Sequence, residues 1–99
     1  ETNMITKTAD GMVSLSVYMH TGAIGGNAGT WWTAGTIPEG YRPNSIVYGT
    51  GMVCGDGWLN AVPTAFMISN GLLYLYGQNS AATMLVINMT YVAMGSVVA

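Results

Sequence analysis

Residues 35–45 read GTIPEGYRPNS, and this stretch decides how the chain folds. It contains two of the three prolines, Pro38 and Pro43. Each proline fixes its own φ and pushes the residue before it out of the helical region. A helix is therefore excluded here, and we expect a rigid corner that connects two strand-rich halves.

The residues between the two prolines predict how this corner packs. Pro38-Glu39-Gly40 is typical of a β-turn with proline at the second position and glycine at the fourth. We expect Tyr41 to pack inward. Arg42 is one of only two cationic residues, and it needs an acceptor, either an acidic side chain or a backbone carbonyl oxygen.

Apolar and polar residues alternate on both sides of the corner, which predicts strands. In Met12–His20, one apolar set is expected to face the core: Val13, Leu15, Val17 and Met19. Asn70-Gly71 lies between two apolar runs and predicts a hairpin with a type I′ turn. In the return strand, Leu73 and Leu75 should point to one face of the sheet, and Leu72, Tyr74 and Tyr76 to the other.

These patterns predict an all-β chain of about seven strands, an antiparallel β-barrel or Greek-key sandwich. The predicted strands are Met12–His20, Trp31–Ala34, Ser45–Thr50, Leu59–Ser69, Leu72–Tyr76 and Thr83–Ala93, and Glu1–Asp10 is either a first strand or an entry arm. The predicted loops and tail are Thr21–Thr30, Gly77–Ala81 and Gly95–Ala99. We expect the glycines at positions 49, 51, 55 and 57 to interrupt their region, as bulges or close approaches. Pro63 should make the first half of its strand an edge or a bulge.

Composition indicates a single domain over residues 1–99 whose surface is partly covered by other subunits. Hydrophobic residues make up 51% of the chain and charged residues only 6%, whereas a typical soluble domain has about a quarter charged residues. We therefore expect a homo-oligomer. Because the chain begins with Glu1 rather than Met, we also expect it to be a fragment of a longer protein or a processed product.

Charge and hydropathy exclude several partners and sites. Two cations and four acids give a net charge of −2, so no basic patch for nucleic acid is expected. No apolar run approaches the roughly 18 residues of a membrane span, and no signal peptide is present. The single cysteine, Cys54, allows neither an intrachain disulfide nor a multi-cysteine metal site, and we expect it to be a small buried hydrophobe.

Catalysis and cofactors are not expected from this sequence. His20 is the only histidine, and no Gly-x-Ser-x-Gly nucleophile motif occurs. His20 also has no histidine or cysteine partner at the spacing of a metal site. A calcium site built on Asp10 and Asp56 would have too few carboxylates.

A binding surface for saccharides is better supported. The chain has three Trp and six Tyr against one Phe, a bias toward rings that combine an apolar face with a hydrogen-bonding edge. Sugars offer matching surfaces, an apolar patch of C–H groups and a rim of hydroxyls. The candidate saccharide-binding residues are Trp58, Asp56, Tyr76, Tyr74, Gln78, His20 and Trp31.

Each candidate residue also has a structural interpretation. Trp31 or its neighbour Trp32 can anchor the core or an interface, because adjacent strand side chains point to opposite faces. Tyr74 and Tyr76 can cover a subunit contact. His20 can be a surface residue at a strand end, and Asp56 a turn former. Trp58 follows a Gly-Asp-Gly turn, so we expect it near a loop tip, where packing explains a tryptophan poorly.

Three segments, taken in order, resemble one family of proteins. The sequence TIPEGYRPNS is similar to the hydrophobic-Pro-x-x-Tyr/Phe-Arg-Pro corner in the C-terminal head domains of receptor-binding proteins from phages of Gram-positive bacteria. The hairpin ISNGLLYLYG at Ile68–Gly77 and a last strand that ends MTYVA at Met89–Ala93 resemble the same heads. The resemblance extends from about Val13 to Ala93.

The resemblance implies a compact β-barrel or Greek-key head that assembles as a homotrimer at the tail tip or baseplate of a phage particle. Such heads contact other tail proteins and recognise host cell-wall polysaccharide, often in the cleft between subunits. In lactococcal examples a His and an Asp on the strand before the Asn-Gly turn join an aromatic residue on the strand after it. This chain keeps the aromatic as Tyr76, but residues 64–68 contain no His or Asp.

Two other functions remain open. The chain can be a structural baseplate or tail-fibre module that holds other proteins and has no glycan site. It can also be a bacterial adhesin or lectin domain, which shares the chemistry of a sugar-binding head and differs in origin.

Overall fold

The structure is a computed structural model, and it describes residues 2–20, 30–77 and 83–93. In these residues seven strands form one antiparallel sheet in the order β1-β2-β7-β4-β5-β6-β3. The strands are β1 (Thr2–Lys7), β2 (Met12–His20), β3 (Trp31–Thr36), β4 (Val47–Cys54), β5 (Val62–Ser69), β6 (Leu72–Tyr76) and β7 (Met84–Val92), with a short 3₁₀ turn at Asp56–Trp58. The predicted loops Thr21–Thr30 and Gly77–Ala81 fall mostly outside the described residues, and the predicted tail Gly95–Ala99 falls wholly outside them.

The all-β prediction is confirmed. Strands β4, β5 and β6 are neighbours in the sheet in chain order. Strand β3, which precedes them in sequence, lies beside β6, and this is a Greek-key arrangement. Apolar side chains from both halves of the sheet share a single core. The edge strands β1 and β3 line opposite walls of an apolar cleft of ≈ 340 Å³. The sheet is therefore curled into a half-barrel.

The core follows the predicted alternation. In β2 the buried side chains are Val13, Leu15 and Val17, with Met19 packed partly against them. In β6, Leu73 and Leu75 are buried, while Tyr74 and Tyr76 lie partly exposed on the outer face. The remaining core residues, which complete the inner face, are Ile37, Val53, Phe66, Ile68, Leu85, Ile87, Met89, Tyr91 and Ala93.

The hairpin at Asn70-Gly71 has the predicted geometry. Ser69 pairs with Leu72 across a two-residue loop, and Asn70 and Gly71 have φ values of 52° and 77°. Two positive φ values in succession define the type I′ turn, whose twist matches that of the flanking strands. The turn therefore fixes the register of β5 against β6.

The corner docks on this hairpin. The Ile37 N–H donates to the Gly71 carbonyl oxygen at 2.8 Å. Arg42 Nε donates to the Ile37 carbonyl oxygen at 2.7 Å, so a backbone carbonyl is its acceptor. A β-carbon added to Gly71 would lie 2.5 Å from Arg42 Nε. The guanidinium therefore lies against the turn, and only glycine leaves room for it.

The predicted turn in the corner is displaced by one residue. The hydrogen bond runs from the Tyr41 N–H to the Pro38 carbonyl oxygen, at 3.1 Å. Pro38 is thus first in the turn rather than second, and Gly40 is third rather than fourth. Gly40 has φ +85°, the left-handed conformation that the third position of a type II turn requires.

The corner also contacts β1 and β7. Lys7 Nζ donates to the Gly40 carbonyl oxygen at 2.7 Å, and the same ammonium lies 5.2 Å from the centre of the Tyr41 ring. Tyr41 packs against the core, as predicted. Pro43 forms an isolated bridge with Ala93, just beyond the end of β7. The corner therefore crosses the end of the half-barrel where β1, β3, β5 and β7 end.

Gly49 and Gly51 do not interrupt a strand. Both lie inside β4, which continues to Cys54, four residues beyond the predicted end. A β-carbon on Gly51 would lie 2.5 Å from the Val86 carbonyl oxygen and 2.6 Å from a Phe66 ring carbon. Gly51 is required because the neighbouring strand and the core ring approach its backbone closely, whereas a β-carbon on Gly49 would lie 3.0 Å from the Met89 side chain.

Three further predictions for the second half of the chain are confirmed, whereas β5 begins at Val62, three residues after the predicted start at Leu59. Pro63 pairs with Met52 of β4, whereas pairing of β5 with β6 covers only Phe66–Ser69. The first half of β5 is thus a local edge. Strand β7 falls within the predicted Thr83–Ala93, and Cys54 is buried, which raises the pKa of its thiol.

Substitution of Gly51 by alanine should destabilise the fold. The added methyl group would overlap the Val86 carbonyl oxygen, and overpacking of this kind costs about 1–3 kcal/mol. Gly35→Ala is a matched control, because its β-carbon would meet nothing within 4 Å. Urea denaturation of the two variants tests this, and equal midpoints would contradict the close approach.

Candidate functional site

Strand register brings His20 and the turn after β4 together at one end of the sheet. His20 pairs with Met84 of β7, and Met84 pairs in turn with Cys54 of β4. Asp56 follows Cys54 by two residues, and Thr83 precedes Met84. The end of the sheet opposite the corner therefore collects polar side chains from three separate segments.

The collected side chains form a hydrogen-bonded cluster. His20 Nε2 lies 2.7 Å from Asp56 Oδ1, so its N–H donates to the carboxylate. The Thr83 hydroxyl donates to the same oxygen at 2.7 Å. Both ends of the ion pair are open to water, because the His20 and Asp56 side chains are 52% and 75% exposed.

These contacts favour the ionised form of Asp56. The hydrogen bond from His20, then that from Thr83, holds the pKa of the Asp56 carboxyl below its usual value of 3.8. The carboxylate is therefore a fixed acceptor at neutral pH. Its Oδ2 atom makes no hydrogen bond with any described residue, and this oxygen can accept from a ligand hydroxyl.

Two aromatic rings lie beside this cluster, and we call Tyr18 and Trp58 the ring pair. Their centres are 5.8 Å apart and their planes differ by 7°, so the rings are stacked. Tyr18 precedes His20 by two residues and therefore shares its strand face. Trp58 follows Asp56 by two residues and is 53% exposed. The ring pair thus presents an apolar platform next to a carboxylate.

Trp58 has an unusual backbone conformation. Its φ is +66°, in the left-handed region, which is an outlier for a bulky residue. The Trp58 N–H donates to the Gly55 carbonyl oxygen at 3.1 Å, and the Gly55 N–H donates to the Leu59 carbonyl oxygen at 2.7 Å. Strained residues of this kind cost about 1–3 kcal/mol and cluster at functional sites. The loop therefore holds a strained tryptophan whose indole stacks on Tyr18 and stays 53% exposed.

The other aromatic candidates form a second group, the aromatic patch of Trp31, Tyr48 and Tyr76. The Trp31 and Tyr76 rings meet edge to face at 5.0 Å, and Trp31 lies 6.4 Å from Tyr48. Tyr48 is 67% exposed. Tyr74 is adjacent in register, since Met67 pairs with both Tyr48 and Tyr74. No ring contact joins this patch to the ring pair within the described residues.

The structure thus divides the predicted site. It brings His20, Asp56 and Trp58 together, and it places Trp31, Tyr74 and Tyr76 on β3 and β6. Gln78 lies outside the described residues, as does the side chain of Trp32.

Three residues of these surfaces were not predicted as site residues. Tyr18 could have been identified, because the alternation of β2 places it on the same face as His20. Thr83 and Tyr48 could not, because their contacts depend on pairings between strands distant in sequence.

Residues 2–20, 30–77 and 83–93 contain no group of three or more His, Cys, Asp or Glu side chains that could hold a metal ion. In the same residues there is no helix long and apolar enough to cross a membrane.

Replacement of His20 by alanine, which removes the imidazole donor, should raise the pKa of Asp56 toward its usual value. The imidazole supplies the largest favourable contact to the ionised carboxylate. The pKa of Asp56 is lower in the folded state than in the unfolded state, so this contact stabilises the fold at every pH above the unfolded-state pKa. The stabilisation is lost as the pH falls through the folded-state pKa. An NMR titration of the Asp56 carboxyl carbon measures this. Lys7→Gln, which removes a cation at the opposite end of the sheet, should leave that pKa unchanged. An equal Asp56 pKa in wild type and His20→Ala would contradict the contact between His20 and Asp56.

Comparison of the chain with protein-family models, with curated proteins and with solved structures finds no match. A functional proposal is therefore supported by the geometry of the described residues and by the sequence motifs.

Proposed function

We propose that this chain is the head domain of a phage tail receptor-binding protein and that it binds a host cell-surface saccharide during adsorption. The head acts by binding rather than by catalysis, and it operates at the tail tip of the phage particle. The motifs of the corner, of the hairpin and of the last strand support the family assignment.

The observation that carries the saccharide proposal is the exposed ring pair beside Asp56. A sugar ring can place its C–H face on the Trp58 indole while neighbouring hydroxyls reach the carboxylate. The His20 and Thr83 contacts fix the carboxylate in position, so little side-chain entropy is lost when a ligand binds. The strained φ of Trp58 favours the same interpretation.

We further propose that the head is a homotrimer. A chain with 6% charged residues has few means to keep several apolar surfaces in water. Exposed large apolar residues occur on the outer face and in loops, including Tyr48, Ile46 and Leu59. Burial of part of this surface between subunits removes the cost of hydrating it.

The second candidate function is a structural tail or baseplate module. The aromatic patch of Trp31, Tyr48 and Tyr76 favours it, because clustered aromatic side chains commonly anchor protein contacts. This function requires a protein partner on the patch and no glycan affinity. Binding of the wild-type domain to an array of bacterial surface polysaccharides separates the two candidates.

Trp58→Gly should remove saccharide binding without unfolding the domain. Glycine adopts φ +66° without strain, which offsets the loss of the stack on Tyr18, so stability should change by less than about 1 kcal/mol. Affinity for a polysaccharide identified on the array should fall at least about tenfold, which corresponds to ~1.4 kcal/mol. Titration calorimetry measures the affinity, and thermal unfolding measures the stability.

Leu59→Ala is the matched control for this variant. Leu59 is the neighbouring loop residue and is 65% exposed, but it makes no ring contact with Tyr18. It should bind as wild type does. Equal affinity for wild type and Trp58→Gly would contradict the proposed site, and a wild-type domain that binds no polysaccharide would contradict the proposed function.

A further inference from the structure

Arg42 occupies an unusual electrostatic position. It is partly buried, and its Nε is committed to the Ile37 carbonyl oxygen at 2.7 Å. Its guanidinium is fixed against the backbone of Gly71, where an added β-carbon would lie 2.6 Å from Cζ. The hydrogen bond from Nε therefore orients the guanidinium beside the turn and leaves its terminal nitrogens free to bond other groups.

The charge of Arg42 has no anionic partner in the part of the chain that the structure describes. The one ion pair there joins His20 to Asp56, at the opposite end of the sheet. Glu39, the acidic residue nearest in sequence, is exposed in the turn of the corner. Partly buried charges are normally paired, because removing them from water is costly. Among the described residues, the positive charge of Arg42 therefore lacks the negative partner that a partly buried charge normally has.

A cleft of ≈ 530 Å³ opens beside this guanidinium. Its lining combines Arg42 with uncharged hydrogen-bonding side chains from the corner and from the hairpin (Asn44, Ser45, Ser69 and Asn70) and with the apolar side chains of Pro43, Ile46 and Ile68. Hydroxyl and amide groups donate hydrogen bonds without adding charge, and none of the lining residues is acidic. Arg42 is the one charged residue among those that line the cleft, so the cleft suits an anion better than a cation.

We propose that this cleft, the Arg42 cleft, binds an oxyanion, either a carboxylate or a phosphate group. The terminal nitrogens of the guanidinium provide the planar fork that pairs with two oxygens of such a group. Asn70 and Ser69 supply neutral donors on the hairpin side. The proposal does not rest on saccharide binding, because the ring pair lies at the other end of the sheet.

Titration of the intact domain with sodium phosphate and, separately, with sodium acetate tests the proposal. Ionic strength is kept constant with sodium chloride at neutral pH, and NMR follows Arg42 Nε–Hε and the Asn70 side-chain amide. We expect saturable shifts of both signals. A response to phosphate alone or to acetate alone identifies the type of oxyanion. No saturable shift with either anion would overturn the proposal.

Three variants make the test specific. Arg42→Lys keeps the charge but loses the fork, so affinity for the anion should fall about tenfold. Asn70→Gly keeps the turn, because glycine readily adopts the φ of 52° at this position, but it removes the side-chain amide. Affinity for the anion should therefore fall several-fold, and this variant still tests the proposal if Arg42→Lys fails to fold. Lys7→Gln removes the other cation, which does not line the cleft, and should bind as wild type does. An equal loss in Lys7→Gln and Arg42→Lys would overturn the proposal, because it would show a response to net charge only.

Discussion

The contact of the corner with the β5–β6 turn is the constraint on which the rest of the structure depends. Strand β3 lies at one edge of the sheet, whereas β4, the next strand in sequence, lies in the middle. The chain must therefore pass the ends of β6 and β5 between them. The hydrogen bond from Ile37 to Gly71 fixes the start of this crossing, and Arg42 fixes its course by bonding back to Ile37. One backbone hydrogen bond contributes only about 0.5–1.5 kcal/mol, but here it determines where a whole connection lies.

This constraint also positions the candidate site at the far end of the sheet. The Asn70-Gly71 turn sets the register of β5 against β6, and the corner delivers the chain into β4. Strand β4 then pairs with both β5 and β7, and the close approach at Gly51 admits only one arrangement of these three strands. Register across β4, β7 and β2 places Asp56 beside His20. A change of one residue in that register would move one partner to the other face of the sheet and separate them.

Much of the fold could be predicted because its signals are local. Alternation in Met12–His20 and the Asn70-Gly71 dipeptide identify strands and a turn from neighbouring residues alone. The predicted corner turn begins one residue too early. Proline favours the second position of a turn, but the positive φ of Gly40 makes that glycine the third residue of the turn. The role of Gly51 could be recognised only as a choice between a bulge and a close approach, since Val86 and Phe66 come from distant strands.

The candidate site was predictable only in part, for the same reason. His20, Asp56 and Trp58 were identified by residue type and by loop position, but the 2.7 Å contact between His20 and Asp56 joins positions 36 residues apart. The separation of Trp31 and Tyr76 from this group follows from the strand order, which no local pattern encodes. The strain at Trp58 is a property of the folded loop alone.

Hydrogen exchange of the Ile37 amide tests the central claim most directly. If the corner is fixed to the β5–β6 turn, this amide should exchange only in global unfolding, as slowly as the amides of buried Phe66 and Leu75. Exchange of Ile37 at the rate of an unprotected amide, while Phe66 and Leu75 stay protected, would show that the sheet holds its shape without the corner. That result would contradict the account.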